Sequence, residues 1–315
     1  GRPPPVTLGA GRGRMAGTQD FRPAARPPLP QIFFASIDGG APAETTLKAN
    51  ISDLGRLRLR PQVLRNVADR RLDADFLGAR HALPLMLGPV GSLGLFRADG
   101  ESSAFRAART AGIPACMSSF AVTRPEILMP LLGPGAAFQL YVLKDRDRPE
   151  AILERVAACG VEILFVTVDT PVSGIRERDI RNGLRVLSRP NARMIADFLA
   201  HPFWLADMIR ASPIQMTFAE GWPEAGRGYL SQAAFLAGQI DPSFDESGLA
   251  WLRSRWRGRL IVKGVLTAAD ALRCVDYGAD GIVVSNHGGR QLDDVSSSIA
   301  ALADIAPALA GRTEI

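Results

Sequence analysis

The sequence predicts an α/β chain built as an incomplete (β/α)₈ TIM barrel of about six βα units. Three observations predict it. From about residue 80 onward, short continuous apolar runs alternate with helical stretches. Polar residues collect at the carboxyl end of each apolar run. The first glycine-rich turn, "LGPVGSLG" (87–94), is not the GxGxxG turn expected of an open, doubly wound sheet. Strands buried on both faces read as unbroken apolar runs, and their alternation with helices implies parallel βα units.

The units follow in order. "LPLMLGPV" (83–90) precedes a helix over 100–112, and "IPACMSS" (113–119) precedes one near 124–132. "AAFQLYV" (136–142) precedes a helix over 149–160, and "VEILFVTVD" (161–169) follows it. After a long interruption come "GRLIVKGV" (258–265) with a helix over 267–278, then "DGIVVSN" (280–286) with a helix near 295–310. The polar strand ends are Pro89 and Gly91, Ser118 and Ser119, Gln139 and Tyr141, Thr167 and Asp169, Lys263, and Ser285 to His287. In a (β/α)₈ barrel these ends share one face, which is where active sites are built. Gly288 and Gly289 allow a sharp turn or the close approach of a flat ligand, with His287 and Arg290 over the barrel mouth.

Composition narrows the functional classes. A chain of 315 residues with 47% hydrophobic and 22% charged residues has enough apolar material for a full core. The net charge of +5 comes from dispersed arginines, since Lys48, Lys144 and Lys263 are the only lysines, and this argues against nucleic acid as a partner. Cys116, Cys159 and Cys274 are widely spaced and form no metal pattern, which points to a reduced, cytoplasmic setting. His81, His201 and His287 are too scattered for a histidine-rich metal site, so no metal is expected. Residues 1–30 are rich in Gly, Pro and Arg and read as a disordered extension, with Met15 a candidate start. Residues 31–315 read as the partial barrel, interrupted by an insertion at about 184–243. Within it, "MIADFLAHPFWLADMI" (194–209) has approximate helical spacing. Two readings stay open: a helix packed on the barrel rim, or a membrane-surface helix with Trp204 at the interface and Arg193 and Arg210 nearby.

Taken together, "SIDGGA" (36–41), "FQLYV" (138–142), "TVDTP" (167–171), "RERDIRNG" (176–183), "IVKGV" (261–265) and "VSNHGGRQLD" (284–293) resemble the FMN-dependent L-2-hydroxy acid dehydrogenases. That family includes glycolate oxidase, L-lactate dehydrogenase and mandelate dehydrogenase. The stretches "GYLSQAAFLAGQIDPSF" (228–244) and "LAWLRSRW" (249–256) look most like its bacterial, membrane-associated lactate and mandelate members. The resemblance implies FMN as cofactor and oxidation of a small L-2-hydroxy acid, of lactate or mandelate type, to the 2-oxo acid. It also implies a quinone or other electron acceptor, a peripheral contact with the inner face of the plasma membrane, and a homo-oligomer.

Residue roles carry over one at a time. The resemblance makes His287 the base that accepts a proton from the substrate, with Asp169 stabilising the imidazolium. Arg290 and Arg176 match the guanidinium groups that bind the substrate carboxylate. Tyr141 matches the tyrosine that hydrogen-bonds the substrate, and Phe120 the residue that shapes its side-chain pocket. Lys263 matches the lysine beside the flavin N1 and C2 carbonyl, and Ser118, Gln139, Thr167 and Ser285 match side chains around the ring. The backbone of Pro89, Val90 and Gly91 would face its N5 edge. Plainer readings exist: Gln139, Thr167 and Ser118 as partners of strand-end backbone, Asp169 as a turn residue, and Arg176 as part of a solvated charge run. Lys263, in an apolar strand, resists one.

The sequence also departs from the family. Ser36 stands where a tyrosine helps hold the carboxylate, and its short stem reaches less far. Pro23, Pro27 and Pro28 fall where the family has a helix, so that helix should be broken or absent. The sequence ends at "GRTEI" as a seventh strand begins, so strands seven and eight are expected to be missing and FMN to be held poorly. A catalytically silent remnant is therefore the alternative function, and a flavin-free phosphosugar barrel a third.

Overall fold

The computed structural model describes residues 15–183, 191–211 and 213–315. The expected disorder of residues 1–14 lies outside them. The expected disordered stretch does not extend to residue 30, because Thr18–Asp20 forms a 3₁₀ turn, helix α1 spans Phe21–Ala25, and Leu29 is buried. Pro23 sits in the first turn of α1, where its missing N–H costs nothing, and Pro27 and Pro28 follow the helix end. Helices α2 (Gln31–Asp38) and α3 (Thr45–Arg56) come next. A hairpin, β1 (Ala74–Phe76) and β2 (Ala79–His81), turns through Leu77 and Gly78, both at positive φ, as a two-residue mirror-image turn requires.

The α/β unit then begins with α4 (Leu93–Phe96) and α5 (Gly100–Ala111). Strand β3 (Ala115–Ser118) leads to α6 (Pro125–Leu132), β4 (Ala136–Leu140) to α7 (Asp147–Ala158), and β5 (Ile163–Thr167) to the short α8 (Glu177–Arg181). Helices α9 (Ala192–Leu199), α10 (Pro202–Ala211) and α11 (Tyr229–Gln239) occupy the interruption; residues 184–190 of it lie outside the described residues. Helix α12 (Glu246–Arg255) leads to β6 (Arg259–Val265), followed by α13 (Ala268–Asp276), β7 (Gly281–Val284) and α14 (Ser298–Leu309). The five strands pair in sequence order, all parallel. The run 83–90 contributes one bridge, Leu87 to Ala115, rather than the expected strand, because Pro84 and Pro89 have no N–H to donate. On the far side Glu314 bridges to Gly281 in parallel.

Both faces of the sheet are dry. Phe138, Leu164, Val166, Leu260 and Ile282 point outward into a core shared with Phe105, Leu128, Val156, Leu252 and Ile305 of the helices. Cys116, Ala137, Ile163, Phe165 and Ile261 fill the other face, where Leu77 of the hairpin turn packs against them. This two-sided burial is why the strands read as continuous apolar runs.

One long-range clamp holds the last loop to the start of the fold. Asp293 accepts hydrogen bonds from the Ala43 and Thr46 N–H groups (both 2.9 Å) and the Thr45 hydroxyl (2.7 Å) at the N-terminus of α3. Desolvation opposes ionisation, but these donors outweigh it and hold the carboxyl well below the usual range. Its stabilisation is complete above the unfolded carboxyl pKa of about 4 and is lost as pH falls through the lower folded value. Asp293→Ala is expected to cost about 1–2 kcal/mol at pH 7, with the difference from wild type shrinking below about pH 4. Urea unfolding of both proteins at pH 7 and pH 3 checks this, and an equal difference at both would sink it.

Candidate active site

Period-two alternation lifts a polar row above the buried inner layer. Ser118 follows Cys116 on that face, Gln139 follows Ala137, Thr167 follows Phe165, and Lys263 follows Ile261. The row is bonded across the strands. Ser118 Oγ donates to Gln139 Oε1 (3.2 Å), Gln139 Nε2 to Thr167 Oγ1 (2.9 Å), and Lys263 Nζ to Ser285 Oγ (3.2 Å). Gly91 lies over the same end, where a Cβ would meet Phe120 Cβ at 2.9 Å; Pro89 is half-buried and Val90 exposed.

His287 follows β7 at φ +59, a left-handed conformation uncommon for a residue with a side chain. Its N–H donates to Ser285 Oγ (3.0 Å), and its Nδ1 lies 2.8 Å from Asp169 Oδ1. A proton on Nδ1 shared with the carboxylate leaves Nε2 as the open acceptor, 3.5 Å from the Tyr141 hydroxyl. Burial, reinforced by the Asp169 charge, pushes the Tyr141 phenol well above its ordinary value, while the guanidinium groups of Arg176 and Arg290 pull the other way. Tyr141 therefore stays a neutral donor. Its ring meets Phe120 edge to face, centroids 5.4 Å apart.

The other Asp169 oxygen, Oδ2, is buried without a hydrogen-bond partner and lies 3.9 Å from Lys263 Nζ. Burial lowers the proton affinity of Lys263, and Asp169 partly offsets that. Arg290 donates through Nη1 to the carbonyls of Ser36 (2.8 Å) and Gly39 (2.5 Å) at the end of α2. Burial, then the like charge of Arg176, pushes its pKa down to about 10, so it stays cationic at neutral pH. Arg176 immediately precedes α8, and its guanidinium lies 3.4 Å from the Asp179 carboxylate. The structure thus brings His287, Asp169, Tyr141, Arg176, Arg290 and Lys263 into one neighbourhood. Ser36 lies beside the same guanidinium: it is buried, and its backbone carbonyl accepts from Arg290.

Three positions have roles that the sequence did not disclose. Asn286 is buried; its side-chain carbonyl accepts from Asn50 (2.9 Å) and from the Gly289 N–H (3.0 Å), fixing the turn that carries His287. Gly289, at φ +68, admits the α3 backbone, since a Cβ would lie 2.5 Å from Leu47 N; the close neighbour is protein rather than a flat ligand. Gly264, at φ +112 in the β6 bulge, lets Asp169 lie against β6: a Cβ there would fall 2.6 Å from Asp169 Cβ. All three lie inside motifs singled out above, but their roles are contacts with distant segments.

The profile of a family described as FMN-dependent dehydrogenase matches residues 25–315. The chain belongs to that family. Members with similar sequences include an L-lactate dehydrogenase of Xanthomonas oryzae pv. oryzae, 42% identical over 304 residues that span 96% of this chain and 78% of that protein. One from Azorhizobium caulinodans is 41% identical over 296 residues, 94% of this chain and 78% of that protein. Among solved structures, a monotopic membrane protein, (S)-mandelate dehydrogenase, superposes with a TM-score of 0.87 at 34% identity, covering 93% of this chain and 77% of that one. A soluble mutant of the membrane-associated (S)-mandelate dehydrogenase from Pseudomonas putida gives 0.76 at 33% identity, covering 93% and 76%.

The family's cofactor is FMN, and the donor set fits its ring. A buried ammonium bonded to one hydroxyl, with a carboxylate only at 3.9 Å, is incompletely compensated and suits the electron-rich side of a flavin. The amide and hydroxyls of Gln139, Thr167, Ser118 and Ser285 offer both donors and acceptors beside it.

Proposed function

We propose that this FMN-dependent dehydrogenase oxidises a small L-2-hydroxy acid, of lactate or mandelate type, to the 2-oxo acid. The observation that carries the proposal is the His287–Asp169 pair at 2.8 Å, with Nε2 facing Tyr141 and the charges of Arg176 and Arg290 acting on the same phenol. Arg290 and Arg176 hold the substrate carboxylate and Tyr141 hydrogen-bonds the substrate. His287 Nε2 accepts the proton the substrate gives up, and Asp169 stabilises the resulting imidazolium through Nδ1. When bound, FMN supplies the two-electron oxidant. Lys263, Ser118, Gln139, Thr167, Ser285 and the backbone of Pro89, Val90 and Gly91 are its proposed ring contacts, and Phe120 and Ser36 complete the substrate side. The retained pairing of His287, Asp169 and Lys263 runs against a silent remnant. The test is anaerobic: FMN-loaded protein is mixed with L-lactate or (S)-mandelate and absorbance is followed near 450 nm. Bleaching is expected, and loaded protein that bleaches with neither acid overturns the reading.

The parallel strands, flanked by bridges at Leu87 and Glu314, support a reading of β3 to β7 as consecutive staves of a (β/α)₈ wall. Electrons are proposed to pass to a quinone or other acceptor. Self-association is proposed too, and the exposed apolar side chains of Leu57, Leu59, Val63, Leu64 and Val67 are a surface it would cover.

A peripheral membrane contact is proposed through α9 and α10. No described helix is long and apolar enough to cross a membrane. Both readings of the 194–209 segment find support, from different side chains. Phe198 and Trp204 stack on Phe33 of α2, centroids 6.1 and 5.0 Å away, while Ile195, Leu199, Phe203 and Ile209 are exposed. Trp204 is not the interfacial aromatic: its indole N–H donates to the Leu95 carbonyl (2.9 Å), and Phe203, 89% exposed, takes that place. Phe203→Ser with Ile209→Ser is expected to weaken liposome binding about tenfold or more. Flotation of both proteins checks this, and equal flotation would count against the contact.

A further inference from the structure

Tyr229, the first residue of α11, carries none of the roles assigned above, yet it ties the interruption to two loops of the candidate site. Its hydroxyl donates to Ser92 Oγ (2.8 Å), and Ser92 Oγ in turn donates to the Phe120 carbonyl (3.2 Å). The Ser92 N–H donates to the same carbonyl at 2.8 Å. Such a chain polarises each hydroxyl in one direction, which strengthens its members. Ser92 sits at φ +61, a conformation that needs holding in a residue with a side chain. It immediately follows Gly91, whose missing Cβ leaves room for Phe120.

Phe120 is held at other points as well. Its N–H donates to Ser118 Oγ (3.1 Å). The next residues are held too: Ala121 O accepts from Thr217 N–H (3.1 Å), and the buried Glu101 carboxylate accepts from the Val122 (3.0 Å) and Thr123 (2.6 Å) N–H groups. Its ring and that of Tyr229 both pack against the cluster of Leu143, Met216, Ala219 and Leu236. Its ring also meets that of Tyr141 edge to face.

We propose that Tyr229 is a specificity-determining positioning residue: through Ser92 its hydroxyl sets where Phe120 stands relative to Gly91 and Tyr141, and so sizes the pocket for the substrate side chain. The inference rests on the hydroxy-acid reading above, which places Phe120 in that pocket. Tyr229→Phe keeps the ring and removes the link; Ser92→Gly removes the same link while relieving the strained φ. Each is expected to raise the ratio of kcat/KM for (S)-mandelate over L-lactate by about fivefold, the size of one lost hydrogen bond. The double variant should gain no more than either single one. A purely structural role would lower both substrates equally and leave the ratio unmoved, which overturns the proposal. Amide exchange gives a second readout, independent of substrate: exchange at Ser92 should rise about tenfold in Tyr229→Phe. Unchanged exchange also overturns the link. Wild-type protein that turns over neither acid sinks the hydroxy-acid reading, while exchange still decides whether Tyr229 holds Ser92 and Phe120 together.

Discussion

Replacing His287 by glutamine is expected to slow flavin reduction by L-2-hydroxy acids by about 10³-fold or more, with FMN still bound. Glutamine roughly matches the reach of Nε2, but its amide cannot take a proton at neutral pH. The effect is large because no described group offers a substitute in the same place. Tyr141, 3.5 Å from Nε2, is held neutral, and Lys263 and Asp169 are turned toward each other. The loss should fall on kcat more than on KM, since Arg176 and Arg290 are untouched. Stopped-flow bleaching near 450 nm measures it. A His287→Gln protein that reduces flavin within tenfold of wild type would remove His287 from the chemistry.

The second large effect is expected at a residue with no side chain. Gly264→Ala would bring a Cβ to 2.6 Å from Asp169 Cβ and 2.7 Å from its Cγ, in a backbone at φ +112. The carboxylate must then leave its place between His287 Nδ1 and Lys263 Nζ, now 2.8 and 3.9 Å away. We expect kcat to fall about 10²-fold, as for a base that loses its orienting partner. Backbone strain adds about 1–3 kcal/mol of instability. Two comparisons separate these effects. Gly160→Ala carries similar strain at φ +81 with open space around it, and should lose stability without losing kcat. Adding Gly264→Ala to Asp169→Asn should cost little beyond the single change, because both act through one carboxylate. Full additivity in that cycle would contradict the placement argued for Gly264.

The strands from β3 to β7 were legible because their inner and outer faces are both buried, and sequence records burial directly as apolar runs. The run at 83–90 misled for the same reason. It is apolar, but prolines at 84 and 89 deny it a ladder, so only Leu87 pairs. The 194–209 segment shows the limit of periodicity. Its spacing marks a helix with an apolar face, but gives no reason for Trp204 to turn inward to the Leu95 carbonyl while Phe203 faces out. That choice depends on Phe33, Phe96 and Phe198, which come from three separate elements.

By itself, the sequence determined the strand–helix alternation, the parallel sheet and the chemical identities at each strand end, because period and residue type are local properties of a chain. The tertiary structure alone decided that Asp169, paired with His287 as the resemblance implied, also approaches Lys263, that Gly264 leaves the space for it, and that Asp293 and Asn286 hold the histidine loop to α3. It also decided that Tyr229 of the interruption grips the loops at Ser92 and Phe120. These contacts join residues up to about 250 positions apart, and a contact between distant segments depends on distances fixed only when the whole chain has packed.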